Sequence, residues 1–137
     1  MDLNKIYAQA KAFLEKNLPN VTFDYTIKEK AIFIGSNNVS IKGIDRDVDL
    51  VMVFGANERF ILSCSVPYVK ENLTSHKLID KLNEGVVDFK FYFYNGNLII
   101  AANPWYFKED NCNMFIDYYL DKLSEFFREN DINTLLR

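Results

Sequence analysis

The hydrophobic residues near the start of the chain recur at the spacing of an amphipathic helix. Asp2 is placed to cap its N-terminus, and its polar side carries Lys5, Lys11 and Glu15. The residues of the apolar side are Leu3, Ile6, Tyr7, Ala10, Phe13 and Leu14. Pro19-Asn20 predicts its end. The first element is therefore a helix whose apolar side needs a surface to cover it.

After this helix the spacing becomes the two-residue alternation of β-strands. The predicted strands cover residues 21–27, 31–34, 48–54 and 60–66. The segment 35–46 between the second and third strands is polar and contains glycines, and a further short edge strand around Val39–Ile41 stays an open alternative. Pro67 ends the fourth strand because proline has no backbone N–H to donate.

The middle of the chain predicts a helix followed by a hairpin. Ser75 is the predicted N-cap of a helix that carries apolar residues between Leu78 and Leu82. Two strands, 87–94 and 97–102, then flank Asn95-Gly96, the dipeptide that a type I′ hairpin turn requires.

A long helix from about Asp110 to Glu129 follows the loop 103–107. Its predicted apolar stripe, which one lysine interrupts, consists of Phe115, Tyr118, Tyr119, Lys122, Leu123 and Phe126. The order of elements is α-β-β-β-β-α-β-β-α, and strands joined by short turns pair antiparallel. The predicted fold class is α+β, an antiparallel β-sheet packed against helices, in one domain of residues 1–137.

This order resembles that of the YbjN-like domains and the type III secretion chaperones, which share an α-β-β-β-α-β-β-α fold. The similar segments are the strand Phe60–Pro67, the helix segment Leu78–Asn83 with its Leu82-Asn83 pair, the hairpin turning at Asn95-Gly96, and the closing helix. The resemblance implies a small acidic protein, often a homodimer, that holds a segment of another protein. It transfers no catalytic residue.

The charge and composition of the chain exclude some classes of binding partner. The chain has 137 residues, with 16 Lys+Arg against 19 Asp+Glu, and no run of basic residues. Nucleic acid and anionic membrane surfaces, which need clustered positive charge, are therefore not expected as partners. No signal peptide and no apolar stretch of membrane-spanning length are recognised, and Cys64 and Cys112 are interpreted as free thiols of a cytoplasmic protein.

One local pattern favours a different class of function. Gly35-Ser36, followed by Asp47 and Asp49, resembles the nucleotidyltransferase signature, in which two alternating carboxylates of a strand hold a divalent metal. A third carboxylate would come from Asp88. In that family a helix follows the carboxylate strand, whereas another strand is predicted here. The other interpretation is that Asp45 and the two alternating aspartates form a solvated strand face.

The remaining reactive side chains predict little chemistry. Cys112 lies in the first turn of the last helix, where the helix dipole would lower a thiol's pKa, but no oriented base accompanies it and a reactive thiol is not favoured. Cys64 is interpreted as a packing residue. His76, the one histidine, is interpreted as a surface residue without a catalytic partner. No cofactor or metal is expected.

Aromatic residues are the strongest candidates for contacts. Phe89, Phe91 and Phe93 line one face of their strand, while Tyr92 and Tyr94 occupy the other.

Trp105 and Tyr106 follow in the segment Pro104–Phe107, which either packs back over the core or stays free to bind. Tryptophan and tyrosine are preferred anchors at protein interfaces. The predicted contact residues are therefore Tyr92, Tyr94, Trp105 and Tyr106.

The function predicted from the sequence is binding of a protein partner, without catalysis, by a homodimeric domain of chaperone-like or regulatory role. A metal-dependent nucleotidyltransferase-like enzyme and an immunity-type protein that masks a toxin stay as alternatives.

Overall fold

The computed structural model of the chain describes residues 2–102 and 105–137, and for Trp105 only the backbone. The helices are α1 (Leu3–Asn17), α2 (Leu73–Gly85) and α3 (Cys112–Glu129), and the strands are β1 (Asp24–Lys28), β2 (Ala31–Val39), β3 (Val48–Gly55), β4 (Arg59–Val66), β5 (Phe89–Tyr94), β6 (Asn97–Ala102) and β7 (Trp105–Tyr106). Short 3-10 segments, Glu109–Asn111 and Ile132–Leu135, precede and follow α3.

The seven strands form one antiparallel sheet in the order β1-β2-β3-β4-β6-β5, and β7 pairs with the first residues of β4. The first four strands follow one another, through short turns between β1 and β2 and between β3 and β4, and through the longer loop 40–47 between β2 and β3. The chain then passes through α2 to the far edge and returns through the turn Asn95-Gly96, so that β6 pairs with β4. Strands β1 and β5 are therefore the two edges of the sheet.

The three helices cover one face of this sheet, which we call the inner face. The ring of Phe60 lies 5.8 Å from Phe115 and 5.5 Å from Tyr119 of α3. The ring of Phe91 lies 4.9 Å from Phe126. Alternate residues of a strand point to opposite faces, so the inner-face residues are every second one, and they are buried as a group: Ile32, Ile34, Leu50, Met52, Phe54, Phe60, Leu62, Cys64, Val66, Phe89, Phe91, Leu98 and Ile100.

This architecture confirms the α+β class and the order of elements predicted from the sequence, with strand β7 as an addition. The turn at Asn95-Gly96 has positive φ at both residues, +50° and +77°, as a type I′ turn requires.

Several element boundaries differ from the prediction. Ser75 is not the N-cap of α2, because Asn72 takes that position. The side chain of Asn72 accepts a hydrogen bond from the Ser75 backbone at 2.9 Å, and Ser75 Oγ accepts one from the Asn72 backbone at 2.8 Å. This reciprocal capping box starts the helix at Leu73.

The predicted second strand is too short. β2 continues to Val39, which pairs with Val48, and the register shifts between Ser36 and Val39. An irregularity of this kind adds residues to one strand without ending the pairing. The separate edge strand around Val39–Ile41 is therefore wrong, because Val39 is the last residue of β2.

The predicted apolar stripe of α3 is correct only in part. Tyr118 is 46% exposed, so it faces away from the core. The buried residues of the helix are Cys112, Ile116, Tyr119, Leu123, Phe126 and Phe127.

The loop between β2 and β3 is fixed against the end of α3. Gly43 has φ +99°, and a Cβ built on it would lie 2.7 Å from the carbonyl carbon of Phe127. The side chain of Asn133 donates to Gly43 O and accepts from the Asp45 backbone. Arg46 donates to three backbone oxygens, those of Pro67, Tyr68 and Arg137.

Candidate functional site

The face of the sheet opposite the helices, the outer face, carries large apolar side chains. Four of them are neighbours on three adjacent strands: Phe33, Val51, Val53 and Ile61. Phe33 pairs with Val53, and Val53 pairs with Ile61. Phe33 is 41% exposed, and Val51 and Ile61 are each 43% exposed. We call these four residues the outer patch.

The outer patch was not among the residues predicted to make contacts. Its signal in the sequence is the uninterrupted apolar run Leu50–Phe54, which is typical of a strand with both faces against apolar surroundings. An alternating strand would have placed polar residues at Val51 and Val53. The run therefore indicates a second apolar face, and the described residues leave that face open to solvent.

The predicted tyrosines lie on the same outer face but at two ends of it. Tyr92 and Tyr94 lie on edge strand β5, 50% and 63% exposed. Tyr106, 72% exposed, lies opposite Arg59 at the start of β4. Tyr92 pairs with Ile99 of β6, which pairs with Ser65 of β4. Ser65 lies six residues along β4 from Arg59, so about 20 Å of strand separates the two ends.

Part of the predicted contact segment lies outside the described residues. Asn103 and Pro104 are not described, and for Trp105 only the backbone pairing with Phe60 is. Phe107 does pack back on the core, with its ring 4.9 Å from that of Phe54.

Charged side chains lie around the edges of the outer face, and they do not form a single charged surface. Asp24 and Lys28 lie on β1, Asp49 on β3 and Lys90 on β5, and the exposed Arg59 begins β4. Burial raises the pKa of the Asp49 carboxyl above its ordinary value. The ends of the face are thus charged, while its centre is apolar.

The residues of the nucleotidyltransferase-like pattern do not converge. Ser36 is buried, and it pairs with Leu50 on the inner face. Asp49 belongs to the outer face, where it pairs with Ser65. Asp47 precedes β3 and is exposed. Strand β3 leads through a turn into β4, and two strands separate it from Asp88.

Asp88 instead belongs to a polar cleft of about 280 Å³ between the start of β5 and the second half of α3. Its carboxylate accepts a hydrogen bond from the Tyr118 hydroxyl at 3.1 Å. Lys122 lies 3.6 Å from Glu125, and this carboxylate raises the pKa of the lysine. Asp88, Lys122 and Glu125 of the cleft are therefore each engaged with a neighbouring side chain.

Cys112 does not have the lowered pKa that the start of a helix can give a thiol. The thiol is buried, donates to the side-chain oxygen of Gln9 at 3.2 Å, and has its pKa raised, chiefly by desolvation. The cost of removing the thiolate from water outweighs the stabilisation that the start of the helix offers it. Burial also raises the pKa of Cys64, in agreement with its assignment to packing. Both cysteines are unpaired.

His76 is half exposed at the start of α2. Its ring lies 3.2 Å from the Glu71 carboxylate and contacts the Phe93 ring edge-on at 4.9 Å. This position agrees with the interpretation of a surface histidine.

Within the described ranges, the His, Cys, Asp and Glu side chains form no group of three or more that is arranged to hold a metal ion. None of the helices in those ranges has the length and apolar content that crossing a bilayer requires. Comparisons with protein-family models, with curated proteins and with solved structures each find no match to this chain.

Proposed function

We propose that this chain is a non-enzymatic protein-binding domain, homodimeric and chaperone-like or regulatory in role, that binds its partner on the outer face of its sheet. The observation that carries this proposal is the outer patch, a contiguous apolar surface on the central strands that the helices leave open. Contiguous exposed apolar surface is uncommon on monomeric proteins, and it is typical of interaction sites.

The size of the patch limits what it contributes. Covering the exposed parts of Phe33, Val51 and Ile61 removes roughly 200 Å² of apolar surface from water, which is worth about 5 kcal/mol. Association costs about 4–15 kcal/mol in lost freedom of motion. The patch alone is therefore too small, and a stable complex also needs the tyrosines at the two ends of the face.

Tyr92, Tyr94 and Tyr106 have the properties that such anchors need. Each is at least half exposed, and each combines a large ring with a hydroxyl that can bond to a partner. A partner that covers both ends spans about 20 Å along the strands. We propose that it is a protein segment or surface that presents large apolar side chains to the patch.

The resemblance, the charge balance and the cysteines support the proposed role and compartment. The resemblance to YbjN-like domains and type III secretion chaperones favours a chaperone-like role in a homodimer. The acidic balance of the chain suits neither nucleic acid nor an anionic membrane. Two buried, unpaired cysteines are typical of a reducing compartment, which supports placement in the cytoplasm.

The test combines partner identification with matched variants. Val51→Thr with Ile61→Thr keeps β-branched side chains on the strands while it removes apolar surface from the patch. The control, Val87→Thr, makes the same change at a valine that is 84% exposed outside the sheet. Tagged wild-type protein would be purified from its native cells, and its partner identified by mass spectrometry and then produced in pure form.

Binding of the pure partner would be measured by calorimetry. We expect the double variant to bind about tenfold or more weakly, since each substitution removes roughly 1 kcal/mol of apolar contact. Val87→Thr should bind as the wild type does. Equal binding by all three proteins would show that the outer patch is not the site.

The enzyme alternative has its own readout. A thermal shift with magnesium and ATP that disappears in Asp47→Ala with Asp49→Ala would replace the binding proposal by the nucleotidyltransferase-like one. The identity of the captured partner separates a chaperone from an immunity-type protein, because the latter would capture a toxin.

A further inference from the structure

We infer that two copies of this chain pair antiparallel through the free edge of β1, across a two-fold axis at Thr26, so that their sheets join into one. This inference rests on the homodimer in the proposed function and assigns the surface that forms it. The occupant of the edge is a second copy of the chain.

The two edges of the sheet differ in how they are closed. At β5, the side chain of Asn83 donates to Phe91 O at 2.9 Å and accepts from Phe91 N at 2.8 Å. It therefore occupies the backbone groups that another strand would use. At β1, the described residues supply no further strand on the side away from β2. Unpaired edges are templates for another chain, and proteins usually block them as β5 is blocked.

The hydrogen-bonding pattern between β1 and β2 leaves backbone groups of β1 free to pair with a second copy. A two-residue turn joins β1 to β2, so the closing pair, Lys28 and Ala31, exchanges backbone hydrogen bonds. Bonded pairs recur at every second residue, and Thr26 therefore also bonds to β2. The backbone N–H and C=O of Tyr25 and Ile27 point to the free edge.

The side chains of β1 are complementary to themselves in the antiparallel direction. With Thr26 opposite Thr26 of the second copy, Asp24 lies opposite Lys28 of the second copy, and the same ion pair repeats across the axis. Tyr25 lies opposite Ile27 of the second copy, which allows four backbone hydrogen bonds. Cross-strand ion pairs, threonine pairs and aromatic–β-branched pairs all favour pairing.

Ile27 is the residue that a second copy would cover. It pairs with buried Ile32, so it belongs to the inner face, yet it is 46% exposed, and no strand of the described chain pairs with β1 on that side. In the joined sheet, Tyr25 of the second copy lies beside it, and Tyr7 of α1 already packs on Tyr25 at 5.3 Å within each copy. An apolar core row thus continues across the axis.

The joined sheet also extends the binding surface. Thr26 pairs with Phe33, Phe33 with Val53, and Val53 with Ile61. The outer patches of two copies then lie in one row on either side of the axis, with about 34 Å between the two Ile61 residues. Because a five-residue edge buries less than a standard interface, we expect a dimer of micromolar affinity.

Charge reversal and its reciprocal rescue test this interface. Asp24→Lys alone places a lysine opposite Lys28 of the second copy, at two positions related by the axis. Lys28→Asp alone likewise places an aspartate opposite Asp24 of the second copy at two positions. We expect either change to raise the dimer dissociation constant about tenfold to a hundredfold in sedimentation equilibrium. The double variant, with both changes, should return to the wild-type value. Asp80→Lys on α2 is the control of equal net charge.

A cross-link provides a second measurement. In a non-hydrogen-bonded antiparallel pair the Cα atoms lie about 4.5 Å apart, within disulfide range. Thr26→Cys should therefore form a covalent dimer on oxidation, whereas Lys90→Cys on the far strand should not. Circular dichroism checks that each variant is folded.

The outcomes separate this inference from the proposed function. A wild-type monomer at the highest soluble concentration, or a dimer that neither charge reversal weakens, overturns the β1 interface. In either case, weaker partner binding by the outer-patch variants would still support the outer face as the partner-binding site. A dimer that is weakened by each single change and restored by both supports the interface, even where the outer patch binds nothing.

Discussion

The substitution Gly43→Ala tests how closely the loop between β2 and β3 approaches α3. The φ of Gly43 is +99°, where an L-residue is strained by about 1–2 kcal/mol. The new methyl group would also lie 2.7 Å from the Phe127 carbonyl carbon and 2.8 Å from the Arg128 nitrogen. These are backbone atoms of a helix, so they cannot rotate away, and overpacking of this kind costs about 1–3 kcal/mol.

We therefore expect Gly43→Ala to lower the free energy of unfolding by about 2–5 kcal/mol, a large part of the 5–15 kcal/mol that is usual for a domain. Two other glycines are matched controls. Gly96 has φ +77° with nothing within 4 Å of the added Cβ, so Gly96→Ala measures strain alone, about 1–2 kcal/mol. Gly85 also has open space around it and no positive φ, so Gly85→Ala should be neutral or stabilising by up to about 1 kcal/mol.

Urea unfolding followed by circular dichroism measures all three variants. The expected order of stability is Gly85→Ala at or above the wild type, then Gly96→Ala, then Gly43→Ala. The difference between the last two isolates the contact with α3. If Gly43→Ala were no less stable than Gly96→Ala, the close approach of this loop to the helix would be refuted.

Two further predictions concern the closed edge and the buried thiols. Asn83→Ala removes both hydrogen bonds to Phe91, so we expect a loss of about 1–2 kcal/mol of stability and faster exchange of the Phe91 amide hydrogen. Lys81→Ala is the control. Unchanged protection of the Phe91 amide would contradict the role of Asn83. Because burial raises the pKa values of Cys64 and Cys112, their thiolate fraction at pH 8 is small, and a disulfide reagent should modify them slowly until urea unfolds the chain. Rapid modification of the folded protein would show that one thiol is exposed.

Local features of the sequence determined the elements and their faces. The alternation of Phe60, Leu62, Cys64 and Val66 predicts one buried face of β4, and these four residues are fully buried. The pair Asn95-Gly96 predicts the tight turn of the last hairpin. Both depend on residues close together in the chain, where backbone conformation and side-chain period decide the outcome.

Where two local signals competed, packing decided between them. Asn72 and Ser75 are both of residue types that cap helices. Asn72 is the N-cap of α2, and Ser75, three residues later, completes the capping box by accepting a hydrogen bond from the Asn72 backbone. Cys112 lies at a helix start, which lowers a thiol's pKa, but it is also buried, which raises it. The burial comes from the contact of α3 with α1 and the sheet, which are distant in sequence, so the pattern around Cys112 could not predict it.

The candidate site depended most on the tertiary structure. The apolar run Leu50–Phe54 indicates two apolar faces, but only the placement of all three helices on one side leaves Val51 exposed. Similarly, the composition of β1 does not say that it is an edge strand; the order β1-β2-β3-β4-β6-β5 does. Strand order and face coverage are set by contacts between distant segments, whose gain must exceed the entropy of closing the loops between them. For that reason a local pattern determines which residues form a face, whereas the assembled chain determines whether that face is covered.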